Sequence, residues 1–166
     1  MAASEPRFTR RRAPPLQRLL LKTPPLVYRG FLAEFMRSRC VMLLTTVGRR
    51  SGLSRTTAVS FMPHGAGVVV FSGWGVGSNW YRNVLANPSV RVTVGRRRFA
   101  GTARVVPEAE HRRALMLEMQ QRSSGCGPPR LVRPFLAGLR LFDYDAEIRM
   151  AVAQGGDLPV LEITPV

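Results

Sequence analysis

The stretch TTAVSFMPHGAGVVVF, residues 56–71, decides the fold. Its first seven residues alternate toward two faces, the period of a β-strand. HGAG at 64–67 supplies the small residues that a tight hairpin turn needs, and GVVVF at 67–71 returns as a second strand. Strands joined this closely must run antiparallel.

The same reading extends in both directions. VMLLTTV (41–47) is an apolar, β-branched run and predicts a strand. Val90, Val92 and Val94 alternate with Arg91 and Thr93, so that strand should bury one face. Residues 95–98 read as a turn, 99–106 as a strand with Gly101 marking a bulge, and 158–163 as a closing strand. Ser78 is placed to cap a helix over 79–86, which Asn87-Pro88 ends. Pro107, Glu108 and Glu110 open a helix over 107–122 carrying Leu115, Leu117 and Met119. A breaker-rich loop follows at 123–129, then a helix over 131–141. Strands come first, joined by tight turns, with helices inserted singly. That order excludes alternating βαβ units. It predicts a mainly β protein with flanking helices (α+β), closed as a small or split β-barrel.

A chain of 166 residues fits one domain. Residues 1–15, rich in Arg and Pro, read as a disordered basic tail. Residues 16–40 read as an N-terminal helical segment, and 41–166 as the barrel domain. Net charge is +15, and it is unevenly placed. Up to Val106 there are 18 basic and 2 acidic residues, net +16; from Pro107 on there are 7 and 8, net −1. A partner rich in negative charge should therefore meet the N-terminal two-thirds. Nucleic acid, an anionic membrane and a polyanionic cofactor all satisfy that condition. A basic helix after a basic tail suits peripheral contact with an anionic bilayer. Lys22 is the one lysine among 25 basic residues, so part of the arginine excess reflects codon usage.

Cys40 and Cys126 match no zinc or redox spacing and are expected to be reduced thiols in a cytoplasmic protein, with no metal site. No apolar run reaches the roughly 18–20 residues of a membrane span.

Two segments carry chemistry. GRRSGLSRTT (48–57) joins two strands and sets Arg49, Arg50 and Arg55 beside Gly48, Ser51 and Gly52. Its backbone N–H groups are expected to converge as an anion nest. GxxxxGK[ST] is absent, which excludes a Walker loop. FSGWGVGSNWYRN (71–83) combines Gly73, Gly75 and Gly77 with indoles and opens onto a helix N-terminus, a site for phosphate or a ring carbonyl. It lacks the dinucleotide-binding glycine spacing. Together they describe a pocket for a large, planar, anionic molecule.

LLTTVGRRSGLSRTT (43–57), followed after a hairpin by SGWGVGSNWYRNVLANPSVRVTV (72–94), resembles the deazaflavin (F420)-dependent nitroreductase and quinone reductase family of actinobacteria. The similarity covers roughly residues 41–106. It implies a split β-barrel of the FMN-binding, pyridoxamine-phosphate-oxidase-like type. It further implies hydride transfer from reduced F420 to a quinone, enone or nitro-type acceptor. On this resemblance Arg49, Arg50, Ser51, Gly52, Arg55 and Thr56 would hold the cofactor's phosphate and polyglutamate tail. Ser72, Gly73, Trp74 and Gly75 would run along the ring, and Ser78, Asn79, Trp80 and Asn83 would close its end. Ser72, Tyr81 and Tyr144 would line the substrate side and serve as proton donors. His64, in the hairpin turn, and His111 are read as solvent-facing. Arg50 stands where many relatives carry lysine, and the small Ser60 where some nitroreductases carry an aromatic. A cytoplasmic enzyme at the inner face of the membrane, forming a homodimer, completes the expectation. Two other readings fit the same residues: a split-barrel flavoprotein binding FMN, and a nonenzymatic barrel binding nucleic acid through Trp74 and Trp80. The aromatics cluster in one glycine loop and do not alternate with arginine along exposed strands, so nucleic acid is not the expected partner.

Overall fold

A computed structural model describes residues 31–73, 75–122, 126, 131, 152–153 and 157–166. Expectations for the tail at 1–15, most of the 16–40 segment, Trp74, the 131–141 helix and Tyr144 lie outside the described residues. Six strands close a barrel: β1 (Val41–Val47), β2 (Ser54–His64), β3 (Gly67–Phe71), β4 (Ser89–Val94), β5 (Arg97–Val105) and β6 (Val160–Pro165). They run in the order β1-β2-β3-β6-β5-β4, every neighbour antiparallel, with β4 returning to β1.

The strand patterns follow from what covers each face. Met42, Leu44, Val59, Phe61, Val68, Val70, Val90 and Val92 point into the barrel and form its core. Leu43 points outward, where helix α1 (Phe31–Ser38) covers it with Ala33 and Met36. That cover explains why β1 reads as an apolar run instead of an alternation. Val69, also outward, lies beneath Leu115, Met116 and Met119 of helix α3 (Ala109–Arg122). Leu117 of the same helix points to solvent. Helix α2 (Asn79–Ala86) inserts Tyr81 and Val84 into the barrel core.

Two expectations are corrected. Gly101 marks no bulge: it pairs in unbroken register with Val90 and Pro165. A Cβ there would stand 2.7 Å from the Thr164 carbonyl oxygen, so close approach of β6 requires the glycine. Cys40 and Cys126 are joined in a disulfide, with Cα atoms 5.1 Å apart. Spacing along the chain could not show this, because the start of β1 and the segment after α3 meet only through the fold, beside Phe71.

β2 outruns β3. Its residues 61–64 pair with β3, while 54–60 pair with β1 alone. That overhang of β2 leads into the β1–β2 loop. Among the described residues, no helix is long and apolar enough to cross a membrane.

Candidate functional site

The β1–β2 loop folds on itself. Gly48 N–H donates to the Leu53 carbonyl, and the Ser51 and Gly52 N–H groups donate to the Gly48 carbonyl, at 2.8, 3.2 and 2.7 Å. Leu53 N–H donates to the Ser51 hydroxyl at 3.4 Å. Arg49 N–H is taken by Asn83. These amides do not form the expected anion nest: those of Gly48, Ser51, Gly52 and Leu53 are spent on the turn and that of Arg49 on Asn83. The capacity of this loop for anions rests on its side chains. Arg50 and Arg55 are exposed and have no acidic partner among the described residues. The stem of Arg55 lies over Gly48: its Cγ is 3.6 Å from where a Gly48 Cβ would be.

Arg49 ties this loop to α2. Its guanidinium donates to Asn79 Oδ1 from both terminal nitrogens, at 3.4 and 3.3 Å, and to Asn83 Oδ1 at 3.1 Å. Asn83 is buried, and its Nδ2 donates to the buried Thr46 hydroxyl at 3.2 Å. The two sequence blocks, some thirty residues apart, thus form one continuous surface. Thr56 lies on the outer face of β2, its hydroxyl 2.9 Å from that of Thr45.

The glycine segment is held by Ser72. This residue is wholly buried; its N–H donates to the Pro159 carbonyl and its hydroxyl to the Gly75 carbonyl, at 2.9 and 2.7 Å. Gly75 has φ +59°, a conformation that side-chain-bearing residues avoid, and it opens a 3-10 turn, Gly75–Gly77. Gly77 differs: its φ is ordinary, and a Cβ there would meet nothing within 4 Å. Packing among the described residues does not call for a glycine at 77. Ser78 precedes α2 with an extended backbone but makes no side-chain capping bond, so it leaves the first-turn amides uncapped.

The residues expected on the substrate side are not gathered here. Ser72 is buried beneath its own loop, and Tyr81 sits in the barrel core, edge-on to Trp80 with ring centroids 6.3 Å apart. Tyr144 and Trp74 lie outside the described residues. His64 is exposed at the hairpin, and His111 reaches Glu162 of β6 at 3.7 Å. Sequence reasoning missed Thr46. Its position within an apolar strand is the signal: an inward-facing hydroxyl in a barrel needs a partner, and Asn83 is that partner.

A six-strand antiparallel barrel in this strand order, with an arginine loop between β1 and β2 and a glycine turn after β3, defines a protein of the split-barrel fold class. HutZ, the heme storage protein from Vibrio cholerae, has the same fold: TM-score 0.53, 18% identity, 80% of this chain and 86% of that one covered. A candidate 5-nitroimidazole antibiotic resistance protein from Bacteroides thetaiotaomicron has it too: TM-score 0.50, 12% identity, 78% and 74% covered. These likenesses concern the fold alone. The sequence is more specific: residues 28–126 match the F420H(2)-dependent quinone reductase family, and the chain belongs to that family. An F420H(2)-dependent quinone reductase of Mycobacterium tuberculosis is 34% identical over 68 residues, which cover 39% of this chain and 46% of that protein. The chain thus spans about half the length of the relative it matches.

Proposed function

We propose that this protein binds F420 across the β1–β2 loop and the glycine turn and reduces a quinone with it. The observation that carries the reading is the Arg49 bridge to Asn79 and Asn83, which makes one surface of the two blocks. The residues fit the group. Arg50 and Arg55 offer unpaired guanidinium forks to a phosphate and carboxylates. Among the described residues nothing lies within 4 Å of where a Gly77 Cβ would be, space suited to a flat ring.

When bound, the reduced deazaflavin supplies two electrons as a hydride. With one proton from solvent, that hydride would convert a quinone to the hydroquinone. The protein would bind and orient: Arg50 and Arg55 would hold the anionic end, Ser72 fixes the turn through Gly75, and Gly75 and Gly77 would leave room for the ring. The test is anaerobic oxidation of reduced F420 with a panel of quinones, enones and nitroaromatics. Quinones should be the fastest acceptors, and oxidation by no member of the panel would overturn the proposal.

Two features of the whole protein belong to the same proposal. The basic N-terminal segment docks a cytoplasmic enzyme on anionic lipid, where a hydrophobic quinone resides; co-sedimentation with anionic vesicles, with and without residues 1–30, tests it. The edge of β2 at 54–60, paired with β1 alone, is a surface a second copy can cover, and sedimentation tests for that dimer.

A further inference from the structure

We infer that Asn83 is a positioning residue that sets the cofactor-binding arginine loop without touching the cofactor. The inference rests on the proposed role of the β1–β2 loop. Asn83 Oδ1 accepts twice from one residue, from Arg49 N–H at 3.2 Å and from Arg49 Nη1 at 3.1 Å. Backbone and guanidinium are thereby pinned to a single atom, so Arg49 cannot swing away from α2. The other end of the amide is fixed as well. Nδ2 donates to Thr46 Oγ1 at 3.2 Å, and Thr46 Oγ1 reaches the Arg55 carbonyl at a long 3.5 Å. One buried side chain therefore references both Arg49 and the strand carrying Arg55 to α2. Asn83 is 5% exposed and Thr46 1%, so neither offers surface to a ligand. All the polar atoms of the Asn83 side chain are engaged inside the protein. Expected from the sequence to close the end of the ring pocket, Asn83 instead lies behind the residues that would meet the ligand.

The structure makes the amide the lock and Arg49 the part it holds. Loss of Asn83 should act through Arg49 and on binding, not on turnover. Asn83→Ala should raise KM for reduced F420 about tenfold and leave kcat within about twofold. In an Arg49→Ala background the same change should raise KM by clearly less than in the wild type, because the guanidinium that the amide holds is gone while the residue-49 N–H and Thr46 remain. Additive effects, or a fall in kcat at unchanged KM, would mean that Asn83 meets the ligand itself and would overturn the inference. A second arm needs no cofactor. Amide hydrogen exchange of the ligand-free full chain should find Arg49 N–H protected in the wild type and unprotected in Asn83→Ala. Protection should return in Asn83→Asp, which keeps the acceptor oxygen and the size. Fast exchange at Arg49 in the wild type would overturn the lock, whereas failure of the wild type to oxidise reduced F420 with protection intact would overturn the proposed function and not the lock.

Discussion

Cys40 and Cys126 stand 86 residues apart in sequence and are covalently joined, fastening the start of β1 to the segment after α3. A cross-link over a loop of that length removes about 4–5 kcal/mol of unfolded-chain entropy on the loop-closure model. Thermal unfolding with and without a thiol reductant should show a lower midpoint when reduced. Cys126→Ser should match the reduced wild type and be indifferent to reductant.

Ser72 sustains the glycine turn from below. Its hydroxyl is fully buried and bonded to the Gly75 carbonyl. Ser72→Ala should cost about 1–3 kcal/mol of stability, the range for leaving a buried polar group unpaired. Chemical denaturation measures that loss. Ser72→Thr does not repair it, since the added methyl group has no space at a site with no exposure.

Gly77 offers a contrast. Because a Cβ there meets nothing within 4 Å, Gly77→Ala should leave the melting midpoint within about 1 °C or raise it slightly. Affinity for F420 should nevertheless fall, since the methyl group occupies the space assigned to the ring. Paired melting and binding curves check both halves of the expectation.

Arg50 and Arg55 should behave as binding residues. Each alanine substitution removes a charge-assisted contact worth roughly 1.5–3 kcal/mol, or about 10–100-fold in F420 affinity. Turnover at saturating cofactor should change little. Added salt should weaken wild-type binding more than that of the variants. Steady-state kinetics over a salt series reads both effects.

Glu34 fastens α1 to the β4–β5 hairpin. One oxygen accepts from Arg37 Nε at 2.7 Å and the other from Arg96 N–H at 2.9 Å. The Arg37 hydrogen bond first, and then the Arg96 amide, hold its carboxyl below the usual glutamate range. A group depressed in the folded state stabilises fully above its unfolded pKa and loses that contribution as pH falls through the folded value. Wild type should therefore melt above Glu34→Gln at neutral pH, and the two should converge at acid pH, below the ordinary glutamate pKa. A gap independent of pH would contradict the assignment.

The hairpin 56–71 and the valine alternation of β4 were legible because each element has a period set by local burial. The helix over 79–86 was legible because the serine before it and the Asn-Pro that ends it are local too, although Ser78 makes no side-chain capping bond. What the sequence hid was long-range. The loop looked like an amide nest because its glycines permit one, yet its amides turn inward, which follows from bonds to Gly48 and Asn83. The burial of Asn83 was hidden as well, because it depends on where α2 meets β1. The disulfide and the tight approach at Gly101 likewise require strands distant in the chain.

The central claim, that the arginine loop and the glycine turn form a single F420 site, is tested most directly by equilibrium titration. Fluorescence polarisation of F420 against the ligand-free protein should show saturable binding that Arg55→Ala weakens by at least about tenfold, with FMN failing to compete. Tight FMN binding without F420 binding, or F420 affinity indifferent to Arg55, would contradict it.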